Sequence, residues 1–304
     1  MKIAASFLSN GIKIAAELHL PADYKTGERR RALVVSHPFG GVKEQTAGLY
    51  AARLAERGLV ALTFDAAHQG VSEGLPRFLE DPAQRAEDIR SAVTFLSTQD
   101  QVDAGRIGAL GICASGGYVP YAAQTESRIR AVATVSGADM GALFREGLGG
   151  GNSPQALRDL LAEVGRQRTR EAMGEPARLD PIVPHTPRDV TEETPALYAE
   201  GTDYYRTPRA QHPNSPNKYL FTSIDRIVGY SSFDHVDLIA PRPLLMIAGS
   251  KADTLYFSEL ACSKAGPAAE LFVIEGASHI DLYDKPEYVG PAVDRLAAFF
   301  EQTL

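Results

Sequence analysis

The chain has 304 residues, of which 44% are hydrophobic and 23% are charged, and its formal net charge is −7. This composition is typical of folded globular proteins and excludes a largely disordered chain. The acidic balance, without a long basic run, argues against nucleic acid or an anionic membrane as the main partner. The length allows one large core, so we expect a single domain over residues 1–304 with an insertion.

Cysteine content and the amino-terminal segment indicate the cellular compartment of the protein. Only Cys113 and Cys262 are present, so a disulfide framework is excluded and a reducing compartment fits best. The first apolar run is interrupted at Ser9, Asn10 and Lys13, which makes it too short for a secretory signal or a membrane span. We therefore expect a cytoplasmic protein.

The predicted elements begin with a hairpin and continue as alternating strands and helices. Asn10-Gly11 separates two alternating apolar runs, and this dipeptide is preferred in tight turns between antiparallel strands. Further strands are predicted over residues 31–36, 59–64, 106–112, 129–136, 242–250 and 270–276. Helices are predicted over residues 46–57 and 83–97, near 258–264, and from about Val289. The alternation predicts an α/β fold with a mostly parallel central sheet flanked by helices.

The alternation breaks near Ala138. A glycine-rich stretch follows at residues 147–154, and then leucines and Val164 mark one apolar helical face. Prolines become frequent between Gly174 and Pro216. We interpret residues 138–236 as a largely helical cap inserted into the α/β domain.

Three residues with reactive side chains follow predicted strands. Cys113 follows IGALGI, Asp253 follows LLMIAGSKA, and His279 follows LFVIEGAS. In open parallel sheets, functional groups gather at the carboxyl ends of the strands. The order nucleophile, acid and histidine is that of α/β-hydrolases.

The segment around Cys113 suits a nucleophile held on a sharp strand-to-helix turn. Such a turn needs small residues two positions before and two after the nucleophile, and Gly111 and Ser115 stand there. The pattern G-x-C-x-S-G departs from G-x-S-x-G at two positions. Two alternatives stay open: Ser115 is itself the nucleophile, or Cys113 is a buried structural thiol.

The roles of a Cys-His-Asp triad follow from ionisation chemistry. A thiolate is the reactive form of cysteine, and a helix amino terminus or an imidazolium favours it. His279 would take the thiol proton and Asp253 would orient its ring. Alternatively, His279 is a polar loop residue beside Ser278, and Asp253 caps the helix opening at Thr254. The competing acids follow the strands less closely; they are Asp237, Asp281 and Asp284.

An oxyanion hole requires two backbone N–H groups aimed at the developing charge. Ala114, the residue after the nucleophile, is expected to supply one. The other is expected from the HPFGG segment, where Pro38 has no N–H; Phe39 is the first choice, with Gly40 next. We expect His37 to position this loop rather than to act as a second base.

No metal or cofactor site is predicted. His68 has no second histidine at ligand spacing, and no carboxylate cluster of metal type is present. The phosphate-loop pattern is absent, and GALGICASG lacks the G-x-G-x-x-G of dinucleotide sites.

Five segments together resemble one known group of proteins: SHPFGGVKEQ, FDAAHQGVSEG, GICASGGY, PRPLLMIAGSKADT and FVIEGASHIDLYD. They resemble the YcjY-like group of the α/β-hydrolase superfamily, which is similar to dienelactone hydrolases and near to fungal polyketide transferases. The resemblance implies an α/β-hydrolase fold with a cap, nucleophile Cys113, acid Asp253 and base His279. The long insertion departs from the compact form of dienelactone hydrolases.

These observations predict an enzyme that hydrolyses an ester, lactone or thioester of a small molecule through an acyl-thioester on Cys113. Phe39, Tyr118, Tyr204 and Tyr205 are the candidate residues of the substrate pocket. Two alternatives remain: an acyltransferase that passes the acyl group to an acceptor other than water, and a catalytically silent binding protein. The sequence is compatible with a homodimer and does not indicate the oligomeric state.

Overall fold

A computed structural model describes residues 1–304. It opens with strands β1 (Lys2–Ser9) and β2 (Ile12–His19), which pair in antiparallel register. Asn10 and Gly11 have φ values of 47° and 78°. Both values are positive, as the two central residues of a type I′ turn require, and the predicted hairpin is confirmed.

An eight-stranded sheet forms the centre of the molecule. Its other strands are β3 (Arg30–Ser36), β4 (Val60–Phe64), β5 (Val102–Ile112), β6 (Ile129–Val135), β9 (Leu244–Gly249) and β10 (Ala269–Ile274). The spatial order is β1-β2-β4-β3-β5-β6-β9-β10, and every pair from β4 to β10 is parallel. The short strands β7 (Leu179–Asp180) and β8 (Tyr219–Leu220) form a separate pair. The mostly parallel sheet confirms the predicted fold class.

Helices cover both faces of the sheet. They are α1 (Thr46–Ala55), α2 (Pro82–Ser97), α3 (Ser115–Ala123), α4 (Met140–Glu146), α5 (Pro154–Ala172), α6 (Ala196–Arg206), α7 (Ile224–Val228), α8 (Leu255–Ala265), α9 (Asp281–Asp284) and α10 (Pro286–Thr303). Side chains of α2, α3 and α8 pack in one apolar cluster, and those of α1 and α10 pack in another. The strands between the clusters are buried on both faces, which explains their continuous apolar runs. No helix has the length and apolar character needed to cross a membrane.

The sequence elements between β6 and β9 are α4 to α7 with the β7–β8 pair, and residues 138–236 are called the insertion below. Polar contacts tie the insertion to loops at the carboxyl ends of the sheet. Ser215 Oγ donates to the Gly40 carbonyl at 2.6 Å, and Arg209 is paired with Asp284 at 2.9 Å. The insertion therefore lies over the sheet edge where the predicted chemistry is gathered.

Some boundaries differ from the sequence prediction. Helix α10 begins at Pro286 rather than near Val289, because proline is favoured in the first turn, where no intrahelical N–H partner is needed. Strand β5 begins at Val102 rather than at Arg106, with a register shift against β3 between its two halves. These differences leave the strand ends that carry the chemistry unchanged.

Candidate active site

Cys113 lies on the turn between β5 and α3. Its φ is 56°, a left-handed value that is uncommon for a residue other than glycine. A Cβ at Gly111 would lie 1.9 Å from the carbonyl oxygen of Ser115, and a Cβ at Gly116 would lie 2.4 Å from the Cα of Gly137. Small residues around Cys113 are therefore required by close backbone contacts, as the sequence pattern indicates.

Burial and three neighbouring polar groups act in opposite directions on the pKa of the Cys113 thiol. Burial raises the pKa of the Cys113 thiol, and the Tyr283 hydroxyl acts against burial by favouring the thiolate. The backbone N–H groups of Ala114 and Phe39 also favour the thiolate and so lower this pKa. Neither N–H has another backbone partner, so both are free to bind an oxygen that develops charge beside the sulfur.

Ser115, the alternative nucleophile, lies behind the turn and away from the cavity described below. Its hydroxyl is fully buried and donates to the carbonyl of His37 at 2.6 Å. The same oxygen accepts from Arg85 at 2.8 Å and lies 2.9 Å from the hydroxyl of Ser36. Ser115 thus joins β3, α2 and α3 beneath the turn and does not line the cavity.

His37 holds the HPFGG loop. Its Nε2 accepts from the N–H of Ala66 at 3.0 Å, and its Nδ1 donates to the carbonyl of Pro38 at 2.7 Å. Burial, followed by the charge of Arg85, keeps the pKa of His37 well below the usual value. The ring is neutral and fully engaged, which suits the positioning role expected for it.

The ring of His279 is held at both nitrogens. Nδ1 lies 2.6 Å from Oγ1 of Thr254, and Nε2 lies 3.2 Å from the hydroxyl of Tyr283. Burial lowers the pKa of His279 to about 3. The imidazole is therefore neutral at physiological pH and can accept a proton.

The predicted triad contacts differ from those observed. The carboxylate of Asp253 accepts from the N–H of Leu197 in the insertion at 2.9 Å and makes no hydrogen bond to His279; Thr254 holds Nδ1 instead. Burial raises the pKa of Asp253. No hydrogen bond joins Cys113 directly to His279; the Tyr283 hydroxyl lies 3.2 Å from Nε2 of His279 and lowers the pKa of the Cys113 thiol. The sequence missed Thr254 and Tyr283.

The competing acids do not replace Asp253. Asp281 accepts from the N–H of Ser278 at 3.1 Å and pairs with Lys285 at 2.6 Å, and Asp284 pairs with Arg209 in the insertion. Asp237 is exposed.

An apolar cavity of about 280 Å³ opens onto the sulfur. Of its 17 lining residues 14 are hydrophobic, none is charged, and twelve belong to the insertion. Phe39 and Tyr205, two of the four residues predicted for the substrate pocket, line this cavity together with Cys113 and Tyr283.

Two of the predicted pocket residues lie elsewhere. Tyr118 is buried beneath the turn, where its hydroxyl donates to Glu80 at 2.9 Å. Tyr204 packs edge-on against Tyr283, with ring centroids 5.2 Å apart, and the guanidinium of Arg209 covers its ring. Neither side chain lines the cavity, because aromatic residues on a buried helix also pack against other buried side chains.

No group of three or more histidine, cysteine or carboxylate side chains is arranged to hold a metal ion. His68 packs in its own loop, with Nδ1 at 3.1 Å from the carbonyl of Pro76.

Comparison with known proteins places the chain in a family. The model of the X-Pro dipeptidyl-peptidase (S15) family matches residues 10–177. The chain is 38% identical to the protein YcjY of Escherichia coli strain K12 over 296 residues, which cover 96% of this chain and 95% of YcjY. The crystal structure of PA2218 from Pseudomonas aeruginosa matches with a TM-score of 0.93 at 35% identity, over 100% of this chain and 94% of that one.

More distant proteins share the fold or part of the sequence. The α/β hydrolase GrgF from a Penicillium species has a TM-score of 0.83 at 20% identity, over 100% of this chain and 99% of GrgF. The thiohydrolase aneE of Aspergillus aculeatus is 27% identical over 80% of this chain and 74% of its own. The acyltransferase drtE of Aspergillus calidoustus is 25% identical over 91% of this chain and 88% of its own.

The fold, the turn that carries Cys113 and these similarities agree. The chain belongs to the α/β-hydrolase superfamily, to its X-Pro dipeptidyl-peptidase (S15) family, and there to the group of YcjY.

Proposed function

We propose that the protein hydrolyses esters or thioesters of uncharged, mostly apolar acyl groups through a covalent acyl-thioester on Cys113. The observation that carries this proposal is the position of the sulfur. It lies on a left-handed turn at the wall of an apolar cavity, and the N–H groups of Ala114 and Phe39, which have no backbone partner, favour its thiolate form. A nucleophile beside two unpaired donors is the arrangement that acyl transfer needs.

The first half-reaction begins from neutral partners. Burial raises the pKa of Cys113 and lowers that of His279, so a resting thiolate–imidazolium pair is disfavoured. The thiol proton therefore leaves as the sulfur attacks the carbonyl carbon, and Nε2 of His279 is its final acceptor. The carbonyl oxygen becomes an oxyanion held by the N–H groups of Ala114 and Phe39.

The intermediate then collapses. The bond from the acyl carbon to the leaving oxygen or sulfur breaks, and the proton on His279 passes to that leaving group. Water attacks the resulting thioester, giving its proton to His279, and the same two N–H groups hold the second oxyanion. Release of the acid restores the Cys113 thiol.

Thr254 takes the orienting role that the sequence assigned to Asp253. Its hydroxyl fixes Nδ1 of His279 and so sets which nitrogen faces the cavity. A hydroxyl adds no negative charge, which agrees with burial being the cause of the low pKa of His279. Asp253 instead ties the amino-terminal turn of α6 to the loop after β9 through Leu197.

The cavity favours uncharged acyl groups. A dipeptidyl-peptidase must bind the protonated amino terminus of its substrate, and no carboxylate lines this cavity to pair with it. No cationic side chain lines it either, which disfavours acyl groups that carry a second carboxylate. At roughly 30 Å³ for each non-hydrogen atom, as in liquid water, a cavity of about 280 Å³ holds an acyl chain of medium length.

Acyl transfer is the second candidate. Because 14 of the 17 lining residues are hydrophobic, water is poorly held in the cavity, and a non-water acceptor could then capture the thioester. The similarity to an acyltransferase, drtE, supports keeping this candidate.

The test uses a series of p-nitrophenyl esters from acetate upward, with a dicarboxylic half-ester for comparison. We expect a mass increase on the peptide containing Cys113 and steady release of acid. Each added methylene should raise kcat/KM about fourfold, from about 0.8 kcal/mol of burial, until the cavity is filled. Label that clears only when an alcohol, amine or thiol is added would favour transfer over hydrolysis.

Two cysteine variants make the test specific. Cys113→Ala should abolish labelling and lower kcat at least about a thousandfold. Cys262→Ala is the matched control, because Cys262 lies on α8, outside the cavity lining, and burial raises its pKa to about 11. Absence of label from the wild-type protein, or label on Cys262 alone, would contradict the proposal and favour a silent binding protein.

A further inference from the structure

Tyr283 stands between the two groups that must exchange a proton. Its hydroxyl lies 3.2 Å from Nε2 of His279, and Tyr283 and Cys113 line the same cavity. The same hydroxyl lowers the pKa of the Cys113 thiol, against the effect of burial. No direct hydrogen bond joins the sulfur to the imidazole. His279 is also absent from the cavity lining, whereas Tyr283 belongs to it.

The tyrosine is fixed in this position. Its side chain is 1% exposed, and the rings of Tyr204 and Tyr205 pack edge-on against it. Its carbonyl accepts from the hydroxyl of Thr46 at 3.0 Å, and its N–H donates to Ile280 at 2.9 Å. Moving the ring aside to let His279 reach the sulfur would require repacking of three aromatic side chains.

We propose that Tyr283 is a catalytic residue whose hydroxyl carries the thiol proton of Cys113 to Nε2 of His279. This inference rests on the proposed function. As the sulfur attacks, its S–H bond breaks and the proton passes to the Tyr283 oxygen, while the hydroxyl's own proton moves to Nε2. Tyr283 ends the step as a neutral phenol, and His279 ends it as an imidazolium whose Nδ1–H donates to Thr254.

The same route serves the return of the proton. When the tetrahedral intermediate collapses, the imidazolium gives its proton back through Tyr283 to the leaving oxygen or sulfur. Burial, and then the neighbouring Cys113, raise the pKa of Tyr283 well above its usual value, so a free phenolate is not formed. The two protons must therefore move together.

The test is the single-turnover rate of acylation by a p-nitrophenyl ester, measured against pH and in mixtures of H₂O and D₂O. In Tyr283→Phe we expect acylation to slow about a hundredfold, with the label still on Cys113. The variant should react only through the small fraction of Cys113 that is already ionised. Its acylation rate should therefore rise about tenfold for each pH unit, whereas the wild-type rate should be nearly constant near neutral pH. A plot of the acylation rate against the fraction of D₂O should be curved in the wild type, where two protons move together, and linear in the variant.

Tyr50→Phe is the matched control. It removes a buried hydroxyl that donates to the carbonyl of Leu282 at 2.7 Å, so it loosens the residue before Tyr283 and leaves the route intact. Its pH profile and isotope dependence should match those of the wild type. Acylation of Tyr283→Phe at the wild-type rate or faster, with an unchanged profile, overturns the relay while the proposed function stands. A wild-type protein that is never acylated overturns both.

Discussion

The loop after β5 carries the predicted nucleophile, and the loop after β9 carries the predicted acid. Backbone contacts determine the structure of the first loop, and side-chain contacts determine that of the second. In the first, the backbone decides: the carbonyl of Ser115 would lie 1.9 Å from any Cβ at Gly111, and Cys113 has a φ of 56°. In the second, neighbouring side chains compete. Thr254 bonds to His279, and Asp253 turns to Leu197 in the insertion. A pattern of small residues identifies the first kind of site, but the second depends on partners that are distant in sequence.

The largest expected effect tests whether backbone crowding at Gly111 determines the turn that carries Cys113. In Gly111→Ala the new methyl group meets a backbone oxygen that cannot move without breaking the turn, so we expect a loss of at least about 4 kcal/mol in the free energy of unfolding. Gly165→Ala is the control, since no atom lies within 4 Å of its Cβ position inside α5, and it should gain up to about 1 kcal/mol. Denaturant unfolding measures both. Wild-type stability of Gly111→Ala would show that the turn tolerates a side chain there.

The second effect is the acid sensitivity that His279 gives to the fold. Its folded-state pKa is about 3, below the value of about 6.5 for an unfolded histidine, so unfolding takes up a proton. The neutral ring contributes fully to the free energy of unfolding above the pKa of His279 in the unfolded state. This contribution is lost as the pH falls towards the pKa of His279 in the folded state. Between about pH 7 and pH 5, wild type should lose about 2 kcal/mol more than His279→Gln. His185→Gln, which replaces an exposed histidine in the insertion by the same residue, is the matched variant measured beside it.

The third effect separates Ser115 from Cys113. Ser115→Ala removes the hydroxyl that accepts from Arg85 and donates to His37, leaving a buried charged group with fewer partners. We expect a loss of about 1–2 kcal/mol in stability. Acyl labelling of Cys113 should persist, as judged by mass spectrometry of the digested protein. Loss of labelling in a folded Ser115→Ala protein would revive Ser115 as the nucleophile.

The smallest effect tests whether Thr254, rather than Asp253, orients His279 in the loop after β9. Thr254→Val keeps the shape of the side chain but frees Nδ1 of His279, which should slow acylation about tenfold, equivalent to about 1.4 kcal/mol. Asp253→Asn keeps an oxygen that can accept from Leu197 and should change the rate less than about twofold. A loss of about a thousandfold or more in Asp253→Asn would instead support the triad acid read from the sequence.

The fold was predictable where local chemistry determines it. Asn10-Gly11 set the hairpin, continuous apolar runs marked strands buried on both faces, and Gly111 marked the tight turn. Phe39 and Ala114 are predicted as the oxyanion-hole donors because Pro38 has no N–H and because the second donor is the residue after the nucleophile; this stays a prediction.

The remaining features of the site depend on contacts that the sequence does not specify. Tyr118 and Tyr204 looked like pocket residues, yet burial beneath the turn and packing against Tyr283 turn them away from the cavity. His279 stands two residues before α9 and Tyr283 lies within it, and the spacing of four residues brings the Tyr283 hydroxyl to 3.2 Å from Nε2. Thr254 was overlooked because its neighbour Asp253 offered the more familiar chemistry.

Most of the cavity wall, twelve of its 17 residues, comes from the insertion, whereas Cys113, Ala114 and His279 belong to the sheet and its loops. On the proposed function, reactivity and substrate choice are therefore encoded in separate stretches of the chain. Relatives can diverge in what they bind by altering residues 138–236 without disturbing the geometry around the sulfur. A chimaera that carries this stretch from a relative should inherit the donor's acyl preference and keep the recipient's chemistry.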